Sequence, residues 1–380
     1  MEGYTVSARK YRPATFDTVV GQAHISNTLK NAIASNHLGH SFLFCGPRGV
    51  GKTTCARILA KTINCTNRTT DSEACGECHS CKTFATNQSL NVFELDAASN
   101  NSVDDIRRLV DQVRIPPQGG NFKTYIIDEV HMLSASAFNA FLKTLEEPPP
   151  YAIFILATTE KHKILPTIIS RCQVFDFRRI MVSDIVVQLK KICKSEGVDA
   201  EDEALFLIGE KADGAMRDAL SIFDRIVSFA GKTIKYQSVI ENLSILDYDY
   251  YFKVVDKFKE NDLSSVLLLF NEILEKGFDA HDFLNGLASH FRDLLVSKDD
   301  ATLKLMDVTE STQTRYKQQA LGTSTSFILS AMNIINQFDI SYKASKNHRL
   351  HVELALIKLC HLNNAIQLVA DPDALKKKAS

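Results

Sequence analysis

The sequence lacks an excess of charge of either sign. Its 380 residues carry 44 lysines and arginines against 45 aspartates and glutamates, for a formal net charge of -1. No global electrostatic field therefore marks a polyanionic partner, and any contact with nucleic acid has to come from a local patch.

Long apolar runs are also missing. The segment Met1–Lys30 mixes charged and polar residues with Pro13 and has no apolar stretch of signal-peptide type, and no later run is long enough to span a bilayer. We therefore expect a soluble, cytoplasmic protein. Its nine cysteines are then expected to be thiols or metal ligands rather than disulfides.

Apolar residues make up 45% of the sequence, which is enough for a large core, and a length of 380 residues suggests two or three domains. In the first half, short β-rich apolar runs alternate with helical patterns. This alternation predicts an α/β fold with a parallel sheet flanked by helices. The runs are Ser41–Phe44, Val92–Asp96, Thr124–Asp128, Ala152–Ala157 and Gln173–Phe177.

After Phe177 the apolar residues recur at helical spacing instead. This change predicts four segments: an α/β domain over 1–178, a small helical domain over 179–243, an all-helical domain over 244–366 and a polar, lysine-rich tail over 367–380. Within the all-helical domain, the pattern predicts helices over Leu263–Lys276, Ala280–Val296 and Phe327–Phe338.

A phosphate-binding motif follows the first predicted strand and opens a helix that runs through Ile63. In such a loop, glycines let backbone N–H groups surround phosphates, the lysine reaches the β- and γ-phosphates, and the threonine hydroxyl ligates Mg²⁺. The alternative is a chance glycine-rich turn, which the strand and helix on either side argue against. The predicted ATP-binding residues are Gly46, Pro47, Arg48, Gly49, Val50, Gly51, Lys52, Thr53 and Thr54.

A second motif, the strand that ends in Asp128 and Glu129, matches the Walker B pattern. Asp128 would hold Mg²⁺ and Glu129 would polarise the attacking water. An isolated Asp-Glu pair is more often a solvated edge or a helix cap, so this assignment depends on its pairing with Lys52.

Two further positions are candidates for sensing the γ-phosphate. Thr158 and Thr159 follow the strand that begins at Ala152, although either could be an ordinary turn residue. Arg217 is predicted at the start of a helix, where it could close over the nucleotide or be a surface charge.

Four cysteines, Cys65, Cys75, Cys78 and Cys81, form a C-x9-C-x2-C-x2-C cluster in an otherwise polar segment. The spacing suits tetrahedral Zn²⁺ in a structural site, because four thiolates leave no open position for catalysis. Redox thiols, or His79 in place of one cysteine, are the alternatives. The other five cysteines are expected to be small buried hydrophobes.

Taken in order, these motifs resemble the clamp-loader proteins of the AAA+ class, and most densely the bacterial gamma/tau subunits. The resemblance is dense over residues 4–243 and thins to a helical pattern over 244–365. The motifs that carry it, besides the phosphate loop and the cysteine cluster, are Arg9-Lys10-Tyr11-Arg12-Pro13, Val20-Gly21-Gln22, Asp128-Glu129, Leu145-Glu146-Glu147-Pro148-Pro149, Ser170-Arg171-Cys172 and Arg217-Asp218.

The resemblance implies roles that spacing alone does not give. It implies that Arg171 is an arginine finger for a neighbouring subunit, whereas in an arbitrary sequence a structural ion pair would be the better interpretation. It also implies an adenine-side pocket formed by Arg9, Tyr11, Arg12, Pro13, Val20 and Gly21.

The resemblance further implies partners. The helical domain over 244–366 would be a collar that joins delta, delta-prime and further copies of this chain in a pentameric ring. Segment 99–108 would face primed DNA, or be an ordinary capped surface helix, and helix 134–145 would touch the sliding clamp, or be simple core. Two other functions stay open: a branch-migration helicase, which predicts a winged-helix domain and no cysteine cluster, and a non-hydrolysing scaffold, which predicts a damaged phosphate loop.

Overall fold

The computed structural model describes residues 5–118, 120–243, 246–306 and 308–370, with side chains through residue 363. Residues 371–380 of the predicted polar tail lie outside the described residues. The described chain forms two compact units. One runs to Asp199 and includes Ile208–Ser228, and the other contains Ala200–Leu207 and the residues from Phe229 onward.

The first unit is built on a parallel sheet, which confirms the α/β prediction. Its strands lie in the order β2-β3-β4-β1-β5, and every described pairing among them is parallel. The observed strands start and end within one residue of the predicted ones. They are β1 (Ser41–Cys45), β2 (Val92–Asp96), β3 (Lys123–Asp128), β4 (Ala152–Thr158) and β5 (Gln173–Asp176).

Alternating side chains of β1 explain why the sheet needs helices on both faces. Phe42 and Phe44 belong to one buried cluster, and Leu43 belongs to another on the opposite face. The first cluster includes Leu59 of a following helix, and the second includes Phe141. The helices and short strands up to residue 243 are α1 (Ser7–Lys10), α2 (Ala23–Ala34), α3 (Lys52–Ile63), α4 (His79–Ala85), α5 (Val103–Val113), α6 (Ala135–Glu146), α7 (Pro166–Ile169), α8 (Val182–Glu196), β6 (Asp199–Ala200), α9 (Asp202–Lys211), α10 (Met216–Ala230), β7 (Thr233–Ile234) and α11 (Tyr236–Leu243).

Beyond residue 245 the described chain is helical, as predicted. A separate core packs around Phe258, Phe270, Phe283 and Phe291. None of the helices in the described ranges is both long and apolar enough to cross a membrane. The helices are α12 (Tyr248–Glu260), α13 (Leu263–Glu275), α14 (Ala280–Val296), α15 (Glu310–Leu321), α16 (Thr325–Tyr342) and α17 (His348–Ala370).

A buried histidine fixes the packing of three of these helices. The His290 side chain on α14 has its Nδ1 3.0 Å from the Tyr316 hydroxyl and its Nε2 2.8 Å from the Gln319 Oε1 atom. The Gln319 amide nitrogen donates to the Phe252 carbonyl and to Asp256, so its oxygen is left to accept from His290. A neutral imidazole with its proton on Nε2 satisfies both partners.

This network predicts a pH-dependent stability. Burial lowers the pKa of His290 to about 4, so the unfolded state binds the proton first. The free energy of unfolding therefore has its full value above pH 6.5, where His290 is neutral in both states. It falls by about 3 kcal/mol as the pH is lowered to 4, because protonation of His290 favours the unfolded state. We expect amide-exchange protection in α14, converted to opening free energy at each pH, to fall accordingly. In His290→Gln this acid-dependent loss should disappear, whereas the exposed-residue control His37→Gln should keep it. The same pH slope in the His290 variant would contradict the assignment.

Candidate nucleotide site and cysteine cluster

The loop after β1 requires glycine at two positions, because a side chain at either one would clash with neighbouring atoms. Gly46 has φ +146°, and a Cβ atom there would lie 2.4 Å from the Phe177 carbonyl oxygen. Gly49 has φ +79°, and its Cβ would lie 2.9 Å from the Ala215 methyl group. Gly51 then serves as the N-cap of α3, so the free N–H groups of that helix face the loop.

Lys52 is the first residue of α3 and is buried at the loop. Its ammonium donates hydrogen bonds to the carbonyls of Gly46, at 2.8 Å, and of Pro47, at 2.7 Å. Burial lowers the pKa of Lys52, while Glu129 and Asp128 oppose the shift by favouring its charged form. The cation thus lies between the loop and two carboxylates.

Thr53 and Asp128 meet although they are far apart in sequence. The Thr53 hydroxyl donates to Asp128 Oδ2 over 2.6 Å, because α3 starts at the carboxyl end of β1 and Asp128 ends β3 in the same parallel sheet. A hydroxyl and a carboxylate are hard oxygen donors of the kind that Mg²⁺ prefers. The two residues therefore fit a magnesium ion.

Glu129 is held by the end of the neighbouring strand. Its Oε2 accepts from the Thr159 backbone N–H at 3.2 Å and from the Thr159 hydroxyl at 2.9 Å. Thr158 is buried and instead has its hydroxyl 3.0 Å from Nδ1 of His131. Of the two threonines that the sequence proposed as sensors, Thr159 is therefore the one that contacts the proposed water-polarising residue.

Lys52, Thr53, Asp128 and Glu129 line a cavity of about 990 Å³. Gly46, Pro47, Thr158 and Thr159 are not among the described residues that line it. Its wall is rich in cations, and burial together with the neighbouring Arg57 and Arg217 lowers the pKa of Arg12. Gly21 lies outside the lining, where a Cβ would meet Ile180 at 2.9 Å. The predicted site residues that line the cavity are Arg9, Tyr11, Arg12, Pro13, Val20, Arg48, Gly49, Val50, Gly51, Lys52, Thr53, Thr54, Asp128, Glu129 and Arg217.

The N-terminal segment closes this cavity by binding to helices α8 and α10. The Tyr11 hydroxyl lies 2.7 Å from the Ser195 hydroxyl and also donates to Glu196. The Ser7 backbone N–H donates to Asp224 over 2.7 Å. Arg217 enters the cavity from the first turn of α10.

Sequence reasoning missed several lining residues. Arg57 follows Thr53 by one helical turn on α3, so the helical spacing could have identified it. Val19 and Met216 are next to predicted site residues in the sequence. The others approach only through the tertiary fold and left no local signal. They include Ala85, Asn87, Asp96, Ala98, Ile180, Gln188 and Leu220.

Arg171 is absent from the described residues that line the cavity. Its guanidinium donates to Glu146 at 2.7 Å and to the Thr167 carbonyl at 2.6 Å. About a third of the side chain is exposed. Within the chain Arg171 therefore has an ion-pair partner, and it also has a solvent-facing portion.

The elements predicted to meet DNA and the clamp are present as capped helices. The Ser102 hydroxyl accepts from the Asp105 N–H to cap α5, and Ser134 caps α6 in the same way. On α6, Phe138 and Phe141 are buried in the sheet core.

Within the described residues, one group of four cysteines is suited to a metal, and His79 is not part of it. The sulfur atoms of Cys65, Cys75, Cys78 and Cys81 all lie within 4.8 Å of one another. Cys65 Sγ is 3.5 Å from Cys75 Sγ and 3.9 Å from Cys78 Sγ. Tetrahedral zinc with Zn–S bonds near 2.3 Å requires sulfur separations of about 3.8 Å, so the cluster fits such an ion.

Backbone donors also favour thiolates in this cluster. The N–H groups of Cys78 and Glu77 point at Cys75 Sγ, at 3.3 and 3.4 Å. These bonds lower the pKa of Cys75, because a hydrogen bond to the sulfur stabilises its charged form.

Three family models match the chain in succession. They are "DNA polymerase III, delta subunit" over residues 21–181, "DNA polymerase III clamp loader subunit, ATPase lid domain" over residues 184–232 and "DNA polymerase III subunits gamma and tau domain III" over residues 234–373.

Curated relatives are similar over long stretches. DNA polymerase III subunit tau of Bacillus subtilis is 40% identical over 99% of this chain and 67% of its own length. Subunit tau of Escherichia coli is 42% identical over 73% of this chain but only 43% of its own length. Subunit gamma of Buchnera aphidicola is 33% identical over 94% of this chain and 98% of its own length. The chain thus spans less than half of the E. coli relative and nearly all of the Buchnera one.

Proposed function

Because the chain belongs to the gamma and tau subunit family of DNA polymerase III, we propose that it is an ATP-driven motor subunit of a clamp loader. Its task is to open a sliding clamp and load it onto primed DNA. The chain itself is an ATPase of the AAA+ class that uses nucleotide and Mg²⁺, and the polymerase activity belongs to the complex. The branch-migration alternative is not favoured, because the lid and third-domain models are those of clamp-loader subunits.

One observation carries the hydrolytic part of the proposal. Lys52, the Thr53–Asp128 pair and Glu129 converge on one cavity from two elements, the start of α3 and the end of β3. A non-hydrolysing scaffold would have no need for the full set, and the glycine loop is intact around them. These groups support ATP hydrolysis by this chain.

Each group has a distinct task in the proposed reaction. The loop N–H groups and Lys52 bind the phosphates, and Lys52 exchanges its bonds to the Gly46 and Pro47 carbonyls for phosphate oxygens. Mg²⁺, held by Thr53 and Asp128, supplies charge neutralisation when bound. Glu129 orients and polarises the attacking water while Thr159 holds its carboxylate in place.

Two arginines complete the proposed site. Arg217 closes over the nucleotide from the start of α10, as its position in the cavity wall supports. Arg171 acts in trans, leaving Glu146 to reach the nucleotide of a neighbouring subunit, and its exposed portion is compatible with that role.

We propose the same three-domain division and partners as the sequence suggested. The lid over 179–243 and the collar over 244–366 are supported by the matched models at 184–232 and 234–373. The collar would join this chain to delta, delta-prime and further copies of itself in a cytoplasmic pentamer. DNA contacts would be summed around that ring, since the chain's net charge is only -1.

Zinc is the metal we propose for the cysteine cluster, because its four thiolates fit a closed tetrahedral site. Elemental analysis of the purified chain should find one zinc per chain. Cys78→Ser should lose it, while Cys360→Ser, which changes a buried cysteine outside the cluster, should retain it. Full zinc content after loss of Cys78 would contradict the assignment.

The function is tested by the ATPase activity of a ring reconstituted with delta and delta-prime. We expect primed DNA and clamp together to stimulate hydrolysis, and rings that contain Lys52→Ala to show no stimulation. Hydrolysis that is indifferent to both ligands would contradict the motor assignment.

A further inference from the structure

Residues 65–87, the cysteine segment, carry the cysteine cluster and also form part of the nucleotide cavity. Helix α4 begins within the cluster, with Cys78 as its N-cap and Cys81 in its first turn. At its other end, Ala85 and Asn87 line the cavity. A helix of seven residues, about 10 Å long, therefore connects the proposed zinc ion to the proposed ATP site.

Arg57 joins the end of α4 to the phosphate-loop helix. Its Nη2 donates to Asn87 Oδ1 over 3.1 Å, and its guanidinium lies 5.0 Å from the centre of the Phe84 ring. Its Nη1 donates to Glu94 on β2. Two of these three partners belong to the cysteine segment, so Arg57 attaches that segment to α3.

The position of Arg57 on α3 connects it to the ATP site. It follows Thr53 by four residues, so the two side chains lie on the same face of the helix. Arg57 lines the cavity as well. A shift of its partners therefore changes both the cavity wall and the helix that presents Lys52 and Thr53.

Helix α4 depends on an external anchor. Seven residues are too few for a helix to be stable alone, and Asn87, just beyond its end, has φ +55°, a left-handed conformation that asparagine tolerates better than most residues. Metal binding by Cys78 and Cys81 would fix the start of α4 and thereby hold Phe84 and Asn87 against Arg57.

A second contact ties the cysteine segment to residues near another part of the cavity wall. Glu73, which is buried, accepts from the Asp17 N–H at 3.2 Å and from the Lys30 ammonium at 3.1 Å. Asp17 lies two residues before Val19, which lines the cavity. The cysteine segment therefore contacts two parts of the wall of the same site.

From these contacts we propose that the cysteine segment is energetically coupled to the nucleotide site, and that Arg57 is the positioning residue that carries the coupling. This inference rests on the proposed ATP and zinc sites. Zinc then strengthens ATP binding, and by thermodynamic linkage ATP strengthens zinc binding by the same factor.

The test is a thermodynamic cycle on the full chain. It compares the wild type with Arg57→Ala, each with zinc bound and with zinc removed. Affinity is measured with a fluorescent, slowly hydrolysed ATP analogue and Mg²⁺. Stripping zinc should weaken binding by the wild type about 10-fold. The zinc-loaded Arg57→Ala chain should already be weakened by a similar factor, and stripping should then change its affinity less than about twofold.

The reciprocal measurement is the zinc affinity, obtained from equilibrium competition with a chromophoric chelator. The ATP analogue should raise the zinc affinity of the wild type by a similar factor, but not that of Arg57→Ala or Asn87→Ala, both of which keep all four cysteines. Lys161→Ala, which removes an ion pair with Asp176 elsewhere in the same unit, should behave as the wild type in both assays.

The outcomes separate the proposals. If the zinc-loaded wild type binds no nucleotide, the proposed function fails. If it binds nucleotide equally well with and without zinc, or if stripping weakens the wild type and Arg57→Ala by the same factor, the coupling through Arg57 is wrong.

Discussion

Glu129→Gln chains should bind ATP with wild-type affinity and hydrolyse it about 10²- to 10⁴-fold more slowly. The substitution keeps the size of the side chain and leaves an oxygen that can accept from Thr159, so the phosphate-binding groups stay in place. What is lost is the negative charge that polarises the attacking water. The measurement pairs equilibrium nucleotide binding with the single-turnover hydrolysis rate in the reconstituted ring.

A matched control lies in the same network. Glu160 pairs with His131 and Lys163 but is not among the described residues that line the cavity. Glu160→Gln should therefore hydrolyse ATP at close to the wild-type rate. Wild-type hydrolysis by Glu129→Gln, or equal loss in both variants, would remove Glu129 from the proposed role.

Arg171→Ala should reduce hydrolysis in assembled rings by about 10³- to 10⁵-fold, the range for an arginine that stabilises charge on the transferred phosphoryl group. Because the proposed finger acts across an interface, the defect can be complemented. Arg171→Ala chains supply intact pockets, and Lys52→Ala chains supply fingers. Rings that contain both should recover activity at their hybrid interfaces.

The competing interpretation is that Arg171 is structural, since it already pairs with Glu146. The two interpretations predict different effects of replacing Glu146, the ion-pair partner of Arg171. Glu146→Gln breaks the ion pair but leaves the guanidinium, so a finger should still work and a purely structural pair should fail as it does in Arg171→Ala. Mixed rings that assemble without recovery, together with a Glu146→Gln defect of equal size, would establish the structural role.

The meeting of Lys52, Thr53 and Asp128 could be predicted from the sequence because its geometry is set locally. Lys52 and Thr53 follow β1 within one motif, and the parallel sheet brings Asp128 to the same edge. The choice between Thr158 and Thr159 depended on where β4 ends. The strand was predicted to stop at Ala157, but it includes Thr158, whose side chain is buried.

The rest of the cavity wall depends on long-range packing. Asn87 reaches the site only because α4 packs beside α3, and nothing in its neighbours along the chain indicates a ligand pocket. The position of Arg57 near the site could have been predicted from its helical spacing to Thr53. Its partners Phe84 and Glu94 could not, because they come from other elements. Tertiary structure rather than local pattern thus decides these positions.

We propose that ATP binding and hydrolysis by this chain drive clamp loading. The most direct test counts clamps retained on primed circular DNA after a ring reconstituted with this chain, delta and delta-prime is given ATP. We predict that the wild type leaves closed clamps on the DNA, that Lys52→Ala leaves none, and that Glu129→Gln holds clamp and DNA without releasing them. Clamp loading by Lys52→Ala rings at the wild-type rate would contradict the claim.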